Sequence, residues 1–191
     1  MITSAYSQEA LSFFFKDNYD NNHNINPLKA EPPPFVGCII ADKFGKTLFS
    51  YELFSGSIDF FLKRDIRNKG EKEDLSLELI PMFISALEAF SQEINIQDLP
   101  GLKLEGRNIK LQTIFSYEDY TIILFLNPNV NMKLMENRIK TYFSYLFEVY
   151  NNDFKNIHKM SSSNFILHLK LLGKIWLEDL NKIYERLILI N

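Results

Sequence analysis

Two runs of β-type residues dominate the hydrophobic pattern, Phe35–Asp42 and Thr47–Leu53, joined by the turn Asp42-Lys43-Phe44-Gly45. In the first run both alternating sets are apolar: Phe35, Ile39 and Ala41 on one side, Val36, Cys38 and Ile40 on the other. A strand that is apolar on both faces belongs in the middle of a sheet. In the second run Thr47, Phe49, Tyr51 and Leu53 share one face, and the more polar Leu48, Ser50 and Glu52 share the other. That asymmetry predicts an edge strand, with Gly45 supplying the positive φ that a tight hairpin turn demands.

Upstream, Ser4 to Asp17 has the spacing of a short amphipathic helix carrying the Phe13, Phe14, Phe15 cluster. Asn18 to Pro34 loses periodicity and ends in three prolines, the pattern of a linker entering the first strand extended. Residues 1–34 are therefore expected as appendage and linker, and 35–191 as the domain.

Downstream of the hairpin, Ile58 to Leu62 predicts a helical turn and Lys63 to Asp74 a charged, solvated loop. Leu77, Ile80, Phe83, Ile84, Leu87, Phe90 and Ile94 then follow helical spacing and predict a core-facing helix, capped by Asp74 or Ser76. Pro81 within it calls for a kink or a start one turn late. Three short runs, Leu102–Glu105, Ile109–Ser116 and Tyr120–Leu126, predict an antiparallel meander, and the last is again apolar on both faces. Two helices close the chain. Met132 to about Phe154 carries Met135, Ile139, Phe143 and Leu146 on one stripe, and Phe165 to Ile190 carries Leu169, Leu172, Trp176 and Leu180 on another, with Ser163 or Asn164 as its cap.

With the first and fifth strands the most buried, the expected architecture is α+β: a five-stranded antiparallel sheet in order 2-1-5-4-3. One helix covers one face and the two C-terminal helices the other. The opening Phe35-Val36-Gly37-Cys38-Ile39-Ile40-Ala41-Asp42 with Gly45 resembles the "apolar strand, Asp, x, x, Gly" hairpin of the longin/roadblock (profilin-like) superfamily. The helix Leu79–Leu87 and the strand end Leu104-Glu105-Gly106 resemble archaeal members of that group. Two strong C-terminal helices favour the longin type. The resemblance implies a non-catalytic module that binds or regulates a small GTPase or another longin/roadblock domain, as a homo- or heterodimer, in trafficking-type scaffolds.

Composition narrows the alternatives. The chain has 191 residues, a net charge of −3 and 46% hydrophobic residues, enough for one substantial core but without the positive field of a nucleic-acid binder. A single cysteine leaves no internal disulfide and no thiolate zinc cluster. The expected location is the cytoplasm, with no direct membrane insertion and membrane contact only through a partner.

Gly45-Lys46-Thr47 copies the tail of a phosphate-binding loop, but Ile40 occupies the position of the required upstream glycine and the segment feeds a strand. His23, His158 and His168 have no carboxylate at ligand spacing, and Cys38 sits in an apolar strand where a small hydrophobe belongs. No catalytic residue, metal site or cofactor is expected. Candidate binding elements are the edge Thr47, Phe49, Tyr51, Leu53, open to strand addition, and a docking segment at Phe13, Phe14, Phe15 that a partner displaces. A second reading is a small-molecule sensor or enzyme using a pocket between sheet and helices.

Overall fold

The computed structural model describes residues 31–67, 77–96, 99–117, 119–157 and 164–190. The helix expected at Ser4–Asp17, the Phe13–Phe15 segment and the caps Asp74, Ser76 and Ser163 lie outside the described residues.

Five strands, β1 (Phe35–Asp42), β2 (Thr47–Glu52), β3 (Lys103–Glu105), β4 (Lys110–Tyr117) and β5 (Tyr120–Leu126), form an antiparallel sheet in the order β2-β1-β5-β4-β3. This is the order expected from burial. The two doubly apolar strands lie side by side at the centre, with Cys38 opposite Leu124, Ile39 opposite Ile123 and Ile40 opposite Ile122, all essentially inaccessible to water.

Helices cover both faces. On one, α1 (Ser57–Arg67) and α2 (Leu79–Glu93) bring Ile58, Phe61 and Ile84 against Val36, Ile39, Ile123 and Phe125. On the other, α3 (Glu136–Val149), α4 (Asn151–Asn156) and the 27-residue α5 (Asn164–Ile190) enclose Phe35, Cys38, Ile40, Phe49, Tyr51 and Leu124.

Local physics accounts for the departures from expectation. Phe35 and Val36 exchange faces, because one residue of β5 is matched by two of β1 between Phe35 and Gly37. A bulge of that kind inverts the alternation on one side of it. The turn expected at Ile58–Leu62 is a helix of 11 residues, and its first amides are met by Glu52, which accepts from Gly56 N (2.5 Å) and Ile58 N (3.3 Å). A second helix thus joins α2 on that face. Pro81 falls in the first turn of α2, where its missing N–H costs nothing, so the helix begins at Leu79 rather than kinking. The stretch from Met132 divides into a 3₁₀ turn (Met132–Leu134), α3 and α4.

One buried side chain fastens β1 to the helices. Gly37 pairs with Glu52, the last residue of β2, so Phe35 extends beyond its neighbour and its main chain lacks a strand on that side. Asn181 of α5 takes the strand's place: its Oδ1 accepts from Phe35 N at 2.8 Å and its Nδ2 donates to Phe35 O and to Leu177 O, each at 2.9 Å. The linker also belongs to the fold at its end, since Asn127 Nδ2 donates to Pro32 O and Asn127 N to Pro34 O.

Removing this carboxamide leaves a buried N–H and a buried carbonyl unpaired, each costing about 1–3 kcal/mol. Asn181→Ala should therefore lower the urea unfolding free energy by roughly 2–4 kcal/mol. A loss under about 0.5 kcal/mol, the size of an ordinary surface change, would show that the bond pair does not anchor α5.

Candidate functional site

The sequence-predicted edge is in place but turned inward. β2 ends the sheet, yet Phe49, Tyr51 and Leu53 are buried beneath α4 and α5. Phe49 packs on Phe154 with ring centroids 5.8 Å apart, and Tyr51 meets Trp176 edge-on at 6.1 Å. The Tyr51 ring lies in the notch left by Gly173, where an added Cβ would come within 2.5 Å of it. Thr47 Oγ1 is also enclosed. Of the other face, Leu48 packs against the core and Glu52 is committed to α1, its carboxyl pushed up by burial against the opposing pull of the amides of Gly56 and Ile58. What β2 offers outward is its main chain, not the side chains of Thr47, Phe49, Tyr51 and Leu53.

The hairpin turn is structural. Gly45 has φ of 79°, and a Cβ there would strike the backbone of Pro81 and Met82 at 2.7 Å. Asp42 Oδ1 accepts from Phe44 N and Lys46 N, both at 2.9 Å, and Ser85 Oγ donates to Lys43 O at 2.8 Å. Asp42 thus closes the turn on itself, and Lys43 O and Gly45 hold it against α2. His168 is exposed and hydrogen-bonded to Tyr150 OH, and among the described residues no group of three His, Cys, Asp or Glu could hold a metal.

The surface that stands out is α2 itself. Leu79, Met82, Phe83, Ala86 and Phe90 face solvent, with Phe83 55% and Phe90 60% exposed. Their spacing of i, i+3, i+4, i+7 and i+11 makes one continuous row about 17 Å long at 1.5 Å per residue. Phe44, 77% exposed, rides on the turn clasped against Met82 and extends the row. α2 contains no Lys or Arg, and Leu79, Met82, Phe83, Ala86 and Phe90 are all uncharged. Single exposed apolar residues are ordinary on a protein surface, whereas these form a contiguous row.

Sequence periodicity assigned Phe83, Phe90 and Ile94 to the core along with Ile84, but the structure buries only Pro81, Ile84 and Ser91 of this helix and leaves those three outside. The missed signal was the second stripe, Leu79, Met82 and Ala86, which makes the helix apolar nearly all round. The sheet covers one side of such a helix and leaves the other exposed.

No family model matches the chain, and no curated protein matches it. Among solved structures, MglB from Myxococcus xanthus is 10% identical with a TM-score of 0.43, covering 80% of this chain and 99% of that one. The gliding protein MglB from Thermus thermophilus is 11% identical with a TM-score of 0.37, covering 72% of this chain and 85% of that one.

Cys38 bears on whether the strand chemistry has any reactive role. Its thiol is fully enclosed, and burial pushes its pKa up to about 12, the environment of an inert thiol. At pH 8 a thiol-reactive dye should leave the folded chain unlabelled and modify one thiol per chain in denaturant; fast labelling of the native protein would contradict this burial.

Proposed function

We propose that this chain is a non-catalytic protein-interaction module of the longin/roadblock type, docking a small GTPase or a second domain of the same superfamily through the outer face of α2. The observation that carries the proposal is the uncharged apolar row of Leu79, Met82, Phe83, Ala86 and Phe90 beside Phe44. The resemblance of the opening hairpin to that superfamily names the class of partner. The β2 main chain is a second docking element, able to take a partner strand by backbone pairing while its own side chains stay in the core. The competing reading, a deep pocket between sheet and helices, has no room at the sheet centre, where both faces of β1 and β5 are filled with packed side chains.

Aromatic anchors at the centre of an interface contribute about 2 kcal/mol or more each, roughly thirtyfold in affinity. Phe83→Asp and Phe90→Asp should each weaken binding to a small GTPase from the same genome, or self-association seen by light scattering, at least thirtyfold. Both side chains are more than half exposed, so the thermal midpoint should stay within about 2 °C of the parent. A parent chain that is monomeric at all concentrations and ignores every such GTPase would refute the proposal.

The Phe13, Phe14, Phe15 segment is proposed to cover the docking surface until a partner displaces it. Because Pro32 and Pro34 are bonded to Asn127, the informative truncation ends at residue 30. Deleting residues 1–30 should raise partner affinity several-fold; unchanged affinity would reduce the phenylalanines to simple packing.

A further inference from the structure

On the opposite side of the sheet from α2, a cleft of about 400 Å³ opens between β3, β4, the 3₁₀ turn and the start of α3. Four lysines line it, Lys103, Lys110, Lys133 and Lys140, against one carboxylate, Glu136. In a chain whose net charge is −3 this is a marked local excess of positive charge. Two of the lysines are already paired: Lys140 Nζ lies 2.8 Å from Glu136, and Lys103 Nζ lies 2.6 Å from Glu105 at the rim. Among the described residues, Lys110 and Lys133 have no carboxylate within ion-pair distance.

Lys110 is the unusual member. It is only 3% exposed, and its Nζ donates to two main-chain carbonyls, Pro128 O at 3.1 Å and Val130 O. An ammonium carries three donors, so one remains for the cleft that Lys110 lines. Carbonyl oxygens satisfy hydrogen bonds but do not neutralise charge, and a buried cation without a counter-charge is costly. Desolvation and the nearby Lys103 pull the Lys110 pKa down against the weaker opposing pull of Glu105, and an anion in the cleft would favour the charged ammonium. The rest of the lining pairs an apolar patch, Ile114, Val130 and Met132, with the polar Gln112, Thr113 and Asn131. A volume of this size with a few convergent polar groups beside an apolar patch suits a small organic ligand rather than a bare ion.

We infer that this cleft binds an organic phosphate, with Lys110 and Lys133 holding the phosphate and the apolar patch accepting the organic part. The site is independent of α2 and does not rest on the docking proposal.

Isothermal titration of the full chain at low salt, with AMP, glycerol 3-phosphate and inorganic phosphate as probes, tests it. A parallel arm uses sedimentation with phosphatidylcholine vesicles, with and without phosphatidate. AMP or glycerol 3-phosphate should bind more tightly than inorganic phosphate if the ligand is soluble; binding confined to phosphatidate vesicles assigns the phosphate to a lipid headgroup. In either arm Lys133→Glu should weaken binding about tenfold or more, as loss of a charge-assisted contact does. Lys170→Glu, on an exposed position of α5 outside the cleft, should leave it unchanged. Lys110→Met should abolish binding in the folded protein; should that variant not fold, Lys133→Glu against Lys170→Glu decides. No binding of any organic phosphate at about 10 mM, inorganic phosphate binding as tightly as the organic probes, or equal weakening by the two Glu variants would overturn the inference.

Discussion

The pairing of β1 with β5 is the constraint from which the rest of the molecule follows. Ile39, Ile40, Ile122, Ile123, Leu124 and Phe125 place apolar side chains on both faces of two adjacent central strands, so neither face can be left to water. At about 25 cal/mol per Å² of apolar surface, covering both faces dominates the energetics of the domain, and every helix is placed by that demand. The C-terminal helices cover the centre of one face, with Phe143, Phe154 and Trp176 forming an aromatic layer over Phe49 and Tyr51. Asn181 fixes the register of that layer by bonding both main-chain groups of Phe35.

The other face is covered more thinly, and there the fold acquires its outward character. α1 and α2 supply Ile58, Phe61 and Ile84 to the sheet, and α2 then presents its second apolar side to solvent. The hairpin turn is bound to α2 by Ser85 and by the close approach at Gly45, so Phe44 and the helix row are held as one surface. Docking through α2 and ligand binding in the lysine cleft would use opposite sides of the same sheet.

Much of the architecture was legible in the sequence because it is carried by alternation and spacing. Doubly apolar runs marked the central strands, Gly45 marked the turn, and the stripe Met135, Ile139, Phe143, Leu146 marked the inner side of α3. The bulge at Val36 was not legible, since a single extra residue leaves both sets apolar and inverts the faces silently. The fate of β2 was half legible: Phe49, Tyr51 and Leu53 do share a face, but only the position of α5 decides that this face is inside. The α2 surface was hidden by the same ambiguity, because an apolar residue at helical spacing looks alike whether it meets the sheet or a partner. The cleft was not legible at all, as Lys103, Lys110, Lys133 and Lys140 come together only through the β4 pairing and the turn into α3. The Phe13–Phe15 segment lies outside the described residues.

The central claim is that α2 is a contact surface, and the methionine methyls report on it directly. Met82 is exposed on α2, whereas Met135 is fully buried on the opposite face of the sheet. In methyl NMR of the full chain, adding a bound GTPase, or raising the protein concentration through self-association, should shift or broaden the Met82 signal and leave Met135 in place. A complex that forms while the Met82 methyl stays unmoved would contradict the account.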